Sequence, residues 1–237
     1  MRLSNRGKLR RSPDHTPAPT KPLVEFHDVS LTQDRTPLLD HLDLTIRPGE
    51  HLALVGLPTT ATTALTRLLT GQGTPTHGHL TIHTHTHQLT THPHTTLAHT
   101  ITGQPAPDPD DPHLAHALAH TDLDPAHLST PLTTLPAHLT PRIHQARDLY
   151  AQHTNTRLLL LTDPPPHTPC PAPTPQTGLL LLTRQPAQAR TADRILLLHR
   201  GRVTETGTHH QLLVRGGAYA RLYALTGIHR ASGNTLG

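Results

Sequence analysis

The sequence predicts an α/β fold with a largely parallel sheet. Three uninterrupted apolar runs, at residues 52–55, 158–161 and 179–182, are typical of short strands buried on both faces. Segments with helical spacing of apolar residues lie between these runs. Short strands that alternate with helices favour a parallel sheet joined by helical crossovers.

Each element can be predicted in chain order from its pattern. Strands are predicted at residues 23–29, 38–46, 52–55, 79–87, 157–161 and 179–183. Helices are predicted at residues 64–69, 113–123, 139–150 and 210–225. A Pro-Gly pair predicts a turn at residues 47–50, and residues 194–203 predict a hairpin that turns at Arg200 and Gly201. Residues 105–112 and the seven prolines of residues 164–175 predict irregular connections.

Composition limits the domain organisation. The chain has 237 residues, enough for one large domain, but only 33% are hydrophobic and 2% aromatic, with 25 Pro and 24 His. Ordinary domains are about 45–50% apolar, so the core is expected to be thin. We expect a disordered basic, Pro-rich tail at residues 1–22, one domain at 23–227 with a small helical subdomain at about 105–150, and a flexible tail at 228–237.

Charge and cysteine content predict a cytoplasmic protein. The net charge of +4 comes partly from the N-terminal tail, so no nucleic-acid partner is predicted. The single cysteine, Cys170, excludes an internal disulfide and suits a reducing compartment. The basic start is not followed by an apolar signal segment, and the longest leucine runs have four residues, against the ~20 residues that span a bilayer. Membrane contact is therefore expected only through a partner.

A strand, a short polar loop and a helix at residues 51–69 form the frame of a phosphate-binding loop. In such a loop the pattern G-x-x-x-x-G-K-[ST] directs backbone N–H groups and a helix N-terminus at a phosphate. Here the first glycine is Gly56, the second is replaced by Ala61, the lysine by Thr62, and the hydroxyl is Thr63. No other register recovers the lysine, since the only lysines are Lys8 and Lys21. The residues predicted to remain at the nucleotide are Gly56, Thr59, Thr60, Ala61, Thr62, Thr63 and Ala64.

Taken in order, three segments make the chain resemble the nucleotide-binding domain of ABC transporters, closest to the exporter type. These segments are VEFHDVSL, PLLDHLDLTIRPGEHLALVG and TADRILLLHRGRVTETGTHHQLLVRGGAYARLY. The resemblance covers about residues 23–227. It implies a P-loop NTPase-like ABC ATPase core with a mostly parallel sheet, an N-terminal antiparallel β part and the small helical subdomain. It also implies ATP with Mg²⁺ as the cofactor.

By position, the resemblance assigns roles to the altered loop. Thr62 stands where the family's lysine neutralises phosphate charge, and Thr63 keeps a hydroxyl for Mg²⁺. The N–H groups of residues 60–64 remain to face a phosphate. If the loop needs left-handed backbone at Ala61, alanine costs about 1–2 kcal/mol relative to glycine.

The second acidic motif of the family matches in place but not in chemistry. Its Mg²⁺-organising aspartate falls on Thr162 and its catalytic glutamate on Asp163; a slip of one residue puts Asp163 in the metal role and leaves no base. Either way one carboxylate stands where two are used. Asp163 is thus the candidate catalytic residue and, with Thr63, the candidate Mg²⁺ ligand. The switch histidine falls on Arg184.

The remaining motifs are altered as well. The signature L-S-G-G-Q is reduced to Leu139, Thr140, Pro141 and Arg142, so the glycines are missing. Gln88 is the nearest candidate for the glutamine loop. Thr32 and Gln33 occupy the stretch where the family places the aromatic residue that stacks on adenine.

The many histidines leave a metal-binding alternative open. On one strand, His83, His85 and His87 would share a face, as a Zn²⁺ or Ni²⁺ site requires. The competing interpretation is compositional, because histidine is spread along the whole chain with Thr, Pro and Leu.

Three functions remain open from the sequence. The first is an ATP-binding subunit of an exporter-like transporter with weak or no hydrolysis, acting with a transmembrane permease subunit and a second, intact nucleotide-binding domain. The second is an active transport ATPase. The third is a non-functional relic, a scaffold or a His-rich metal-binding protein. The lost lysine and the incomplete carboxylate pair argue against hydrolysis. If the first function is correct, the chain is cytoplasmic and peripheral to the membrane through its partner.

Overall fold

The computed structural model describes residues 21–89, 95–104, 107–108, 110–165 and 173–232. Most of the predicted N-terminal tail, Cys170 with the centre of the Pro-rich stretch, and residues 233–237 lie outside these ranges. The described chain forms two sheets and a group of helices. The predicted α/β class, with a mostly parallel sheet and an antiparallel β part, is confirmed.

The larger sheet has six strands in the spatial order β5-β6-β7-β3-β8-β9. All of its neighbouring pairs are parallel except β8 and β9, which form the predicted hairpin. Its strands are β3 (His51–Val55), β5 (His85–Leu89), β6 (Thr156–Thr162), β7 (Gly178–Thr183), β8 (Arg194–His199) and β9 (Arg202–Gly207). The apolar runs therefore form central strands, as their burial on two faces requires.

The smaller sheet is antiparallel, with the strand order β2-β1-β4. Its strands are β1 (Val24–Gln33), β2 (Thr36–Ile46) and β4 (His77–Ile82). The Arg194 side chain joins the two sheets: its Nε donates to Glu50 Oε1 over 2.8 Å and an Nη donates to the Thr45 carbonyl over 2.6 Å.

The prediction of one strand at residues 79–87 is wrong, because two strands from different sheets meet there. β4 pairs with β1, whereas β5 pairs with β6. At the crossing between the sheets, the Thr84 hydroxyl donates to the Asn155 carbonyl and accepts the Arg157 N–H. The alternation of residue types is the same on both sides of the break, so the sequence pattern does not reveal it.

Six α-helices complete the described chain: α1 (Thr59–Leu69), α2 (Leu97–Thr102), α3 (Pro112–Thr121), α4 (Thr140–His153), α5 (His209–Arg215) and α6 (Ala218–Ser232). The predicted single helix at 210–225 is thus two helices. Gly216 ends α5 in left-handed backbone at φ +65°, which a helix cannot continue. A capping box at Thr208 and Gln211 begins α5.

Three apolar clusters hold these elements together. Successive residues of β3 face opposite sides of the larger sheet, with Leu54 in the cluster beneath the smaller sheet and α1, and Val55 in the cluster beneath α5 and α6. A third cluster joins α2, α3 and α4 through residues such as Leu114 and Ile143.

Several threonines on the helices are buried with their hydroxyls bonded locally. Thr66, Thr102 and Thr121 are buried, and each donates to the carbonyl four residues before it, over 2.8–2.9 Å.

Candidate functional site

The candidate site lies at the carboxyl ends of β3, β6 and β7, which are neighbours in the larger sheet. Gly56, directly after β3, donates its N–H to the Thr183 carbonyl at the end of β7 over 3.3 Å. Asp163, directly after β6, donates its N–H to the Leu182 carbonyl over 2.8 Å. The structure therefore brings three sequence-predicted positions, Gly56, Asp163 and Arg184, to one edge of the sheet.

Gly56 is required by the path of the chain at this edge. Its φ is +92°, and a Cβ atom at this position would lie 2.5 Å from the Leu198 carbonyl oxygen. Any larger residue would push the loop away from β8.

The N-terminus of α1 follows after only two loop residues, Leu57 and Pro58. The first turn of an α-helix leaves its N–H groups without intrahelical partners. Here that turn belongs to Thr59, Thr60 and Ala61, whereas the Thr62 N–H already donates to the Pro58 carbonyl over 3.0 Å. Of residues 60–64, only Thr60 and Ala61 thus keep an N–H that α1 itself does not use.

The two altered loop positions, Ala61 and Thr62, and the retained hydroxyl residue, Thr63, all lie within α1. Ala61 is helical and fully buried, so the condition for a left-handed backbone penalty is not met. Thr62, at the position of the family's lysine, is buried at 7% exposure. The exposed Thr63 directs its hydroxyl along the helix and donates to the Thr59 carbonyl over 3.0 Å. Ala64 follows Thr63 in α1 and is partly buried.

Asp163 and Arg184 form an ion pair across the carboxyl ends of β6 and β7. The Arg184 main-chain N–H donates to Asp163 Oδ1 over 3.0 Å, and its Nε donates to Oδ2 over 3.2 Å. Asp163 adopts left-handed backbone at φ +36°, which turns its carboxylate toward Arg184. The candidate metal-binding carboxylate is thus already bonded through both oxygens to the residue at the switch position.

Next to this pair lies a polar network that the sequence did not point to. The buried Thr183 hydroxyl donates to Gln188 Oε1 and accepts the Gln185 N–H, and Gln188 Nε2 donates to the Pro164 carbonyl. These bonds fix the chain after β7 against the chain after β6. The sequence signal that could have located them is the pair of glutamines directly after a buried strand.

Mg²⁺ does not fit the residues predicted to bind it. The Asp163 charge is balanced by Arg184, and the Thr63 hydroxyl is directed at its own helix. Mg²⁺ prefers octahedral oxygen ligands, commonly one or two carboxylates with the substrate phosphates. A guanidinium at the one candidate carboxylate is the wrong environment for such an ion.

The residues predicted to stand at the signature position lie at the start of α4. Leu139 precedes the helix, Thr140 begins it and Pro141 occupies its first turn, where a missing N–H breaks no helical hydrogen bond. Arg142 pairs with Asp122 at the end of α3, with Nη1 to Oδ2 at 3.2 Å. Arg142 is thus engaged within the helical part of the described chain.

Gln88 lies on β5, half-buried, and its N–H donates to the Gly103 carbonyl over 3.1 Å. Beside it, His87 is only 2% exposed. Burial, aided by the nearby Arg147 and His99 charges, lowers the pKa of His87 to about 3, so this side chain is neutral near neutral pH. Residues 90–94, which follow Gln88 closely, lie outside the described ranges.

Thr32 and Gln33 are exposed at the end of β1, where the Thr32 N–H donates to the Thr76 hydroxyl over 3.0 Å. A hydroxyl and an amide side chain at this position offer no aromatic face to a base.

The common face predicted for His83, His85 and His87 is wrong, because the register of β5 against β6 shifts between His85 and Thr86. His83 and His85 line a cavity of about 620 Å³ beside the start of α3 and the end of α4, whereas His87 is buried. Within the part of the chain that the structure describes, no three His, Cys, Asp or Glu side chains are arranged to hold a metal ion.

Comparison with known proteins gives relatives over nearly the whole chain, although no family model matches it. The chain is 29% identical over 251 residues to the ABC transporter ATP-binding protein RamB of Streptomyces coelicolor, covering 88% of this chain and 38% of that protein. It is 28% identical over 257 residues to the mycobactin import ATP-binding/permease protein IrtB of Mycolicibacterium thermoresistibile, covering 91% of this chain and 42% of that protein. The chain thus spans about two fifths of the length of these curated relatives.

Among solved structures, a bacterial Atm1-family ABC exporter with ATP bound is similar in fold. The TM-score is 0.57 at 19% sequence identity, over 92% of this chain and 44% of that chain. In the described ranges, none of the helices combines the length and the apolar character that crossing a bilayer requires.

Proposed function

We propose, from the confirmed resemblance of this chain to the nucleotide-binding domain of ABC transporters, that it serves as an ATP-binding subunit of an exporter-like transporter whose own site hydrolyses ATP weakly or not at all. It would act with a transmembrane permease subunit and a second, intact nucleotide-binding domain, and reach the membrane only through them. Two curated relatives, RamB and IrtB, carry ATP-binding names, which supports nucleotide binding here.

One observation carries the proposal of weak hydrolysis: the single carboxylate at the site, Asp163, is bonded through both oxygens to Arg184. A general base must be able to reach and orient the attacking water. Asp163 is held by a cation instead, and a carboxylate held in this way is a poor base.

The phosphate side of the site supports binding more than catalysis. The first turn of α1 presents N–H groups and the positive end of the helix dipole, both favourable to a phosphate. Thr62 supplies no cation for the charge that develops on the transferred phosphoryl group. Loss of a single stabilising group commonly costs ~100-fold or more in rate, and here several are changed together.

The first experiment measures ATP binding by calorimetry and ATP hydrolysis by phosphate release on the purified chain, after circular dichroism has shown that it is folded. We expect weak binding and no turnover above the buffer rate. Turnover at the rate of an intact ABC ATPase would contradict the proposal and favour the active-ATPase alternative. No ATP binding by the folded chain would favour a scaffold role.

A repair variant tests whether the lost lysine limits affinity. In Thr62→Lys, an ammonium directly after the first turn of α1 should tighten ATP binding about tenfold or more, because phosphate gains a charged partner. Hydrolysis should stay at the buffer rate, because Asp163 remains paired. Thr70→Lys, at the opposite end of the same helix, is the control and should leave affinity unchanged. A thermal melt of each variant checks that the buried position accepts lysine.

A further inference from the structure

We infer that Arg184 takes the place of the magnesium ion at this site, so that the site binds a nucleoside triphosphate without a divalent cation. The inference rests on the proposed function, since it concerns the same site and the same ligand. It follows from the geometry of the Arg184–Asp163 pair, from its place beside the phosphate-loop remnant (residues 56–64) and from the charges there.

The pair is built into the backbone as well as the side chains. One of its two hydrogen bonds comes from the Arg184 main-chain N–H, at 3.0 Å from Asp163 Oδ1, so it persists whatever rotamer the guanidinium adopts. The Asp163 N–H donates to the Leu182 carbonyl, so the backbone of Asp163 is also fixed to β7. Asp163 is 26% exposed in its side chain, which leaves little room for a hydrated ion to approach it.

The guanidinium keeps hydrogen-bonding capacity after this pairing. It donates to Asp163 through Nε, and its two terminal nitrogens are not needed for that bond. The side chain is 61% exposed, so these nitrogens are accessible from solvent. A planar guanidinium with free N–H groups is well suited to bind phosphate oxygens.

Arg184 also lies close to where a phosphate would bind. Val55 and Thr183 are paired residues on neighbouring parallel strands, and the Gly56 N–H donates to the Thr183 carbonyl. Arg184 therefore leaves the sheet beside the loop that leads to the N-terminus of α1. In the sheet β7 lies between β6 and β3, so Arg184 has Asp163 on one side and the phosphate-loop remnant on the other.

The charges favour metal-free nucleotide. A divalent cation would have to displace Arg184 from Asp163, or bind beside a guanidinium and be repelled by it. A fully charged triphosphate meets the guanidinium and the helix N-terminus without that conflict, and its larger negative charge strengthens both contacts. The ion pair thus selects the nucleotide without its magnesium.

The first test compares the calorimetric affinity for ATP in excess EDTA with that in excess MgCl₂. We expect equal or tighter binding in EDTA. Arg184→Gln should weaken binding in EDTA about tenfold or more and should make Mg²⁺ favourable, because Oδ2 of Asp163 then loses its cationic partner. Arg202→Gln removes an ion pair with Asp40 of similar exposure, 68% and 25%, outside the site, and should leave both affinities unchanged.

A second readout does not depend on nucleotide. Electron paramagnetic resonance with Mn²⁺ should detect no specific site in the wild-type protein or in Arg202→Gln, and should detect a weak new site in Arg184→Gln. That new site should be lost again in Arg184→Gln combined with Asp163→Asn.

Two outcomes would overturn the inference: ATP that binds the wild-type chain only with Mg²⁺, or a wild-type Mn²⁺ site that disappears in Asp163→Asn. If the folded wild-type chain bound no ATP in either buffer, the proposed function would fail. The Mn²⁺ measurement would then still decide whether Arg184 excludes a metal ion from Asp163.

Discussion

At the scale of single residues, Gly56 sets the path of the chain from β3 into the phosphate-loop remnant. Gly56→Ala should destabilise the fold by at least about 2 kcal/mol, since left-handed backbone costs alanine 1–2 kcal/mol and the new methyl group would overlap the Leu198 carbonyl. Urea unfolding measures the change in the free energy of unfolding.

Gly71 provides the matched control for this change. Its φ is +76°, also left-handed, but a Cβ atom there would meet nothing within 4 Å. Gly71→Ala should therefore lower the free energy of unfolding only by the cost of left-handed backbone for alanine, about 1–2 kcal/mol or less. Equal losses for the two variants would show that the contact with Leu198 does not constrain the loop.

The contact between Asp163 and Arg184 could not be predicted from the sequence, although the position of each residue could. Each residue can be placed at the end of its own strand, because each follows an apolar run. Their contact joins positions 21 residues apart on neighbouring parallel strands. Only the order of strands in the sheet determines that they meet, and apolar runs alone do not encode this order.

At the scale of elements, one buried hydroxyl links α6 to the segment that follows β7 and to α5. Tyr219 is fully buried; its hydroxyl donates to the Pro186 carbonyl over 3.1 Å and lies 2.9 Å from His209 Nδ1. Tyr219→Phe should cost about 1–3 kcal/mol, because it leaves a buried carbonyl and a ring nitrogen unpaired.

The measurement for Tyr219→Phe is again the free energy of unfolding in urea. Tyr223→Phe, one turn later on the same helix, where the side chain is half-buried, should change it by less than about 0.5 kcal/mol. A loss in Tyr223→Phe as large as in Tyr219→Phe would contradict the assigned role of the buried hydroxyl.

Some boundaries of helices and strands can be predicted from local sequence patterns, and others cannot. The β8–β9 hairpin is predicted correctly, since an apolar strand, a turn at Arg200 and Gly201, and a second strand are all local in sequence. The β4–β5 region is not, since two half-buried strands of different sheets share one alternating pattern. The break between α5 and α6 at Gly216 could have been predicted, because a Gly-Gly pair within a helical pattern is typical of a helix C-terminus.

At the scale of the whole molecule, buried histidines make the fold sensitive to acid. His51 and His87 are both buried, and burial lowers the pKa of each. Below pH 6.5 the unfolded chain binds protons at these positions that the folded chain does not. Stability is therefore full above that pH and falls as the pH decreases toward 3, the range bounded by the unfolded and folded pKa values of His87.

Each such histidine contributes up to about 1.4 kcal/mol per pH unit to the slope of the free energy of unfolding against pH. His87→Gln should reduce the slope measured by urea unfolding between pH 6 and pH 4 by up to that amount. His85→Gln, on the same strand with an exposed side chain, is the control and should keep the wild-type slope. An unchanged slope in His87→Gln would mean that His87 becomes accessible to protons without unfolding.

The hydroxyl groups of the buried helical threonines are bonded within their own helices, and this changes what these side chains contribute to the interior. Thr66, Thr102 and Thr121 use their hydroxyls on their own helices, so what each can offer its neighbours is mainly a methyl group. In packing terms these positions act much as valine does. A core that is poor in hydrophobic residues by composition is thus supplemented by side chains that a residue count classes as polar.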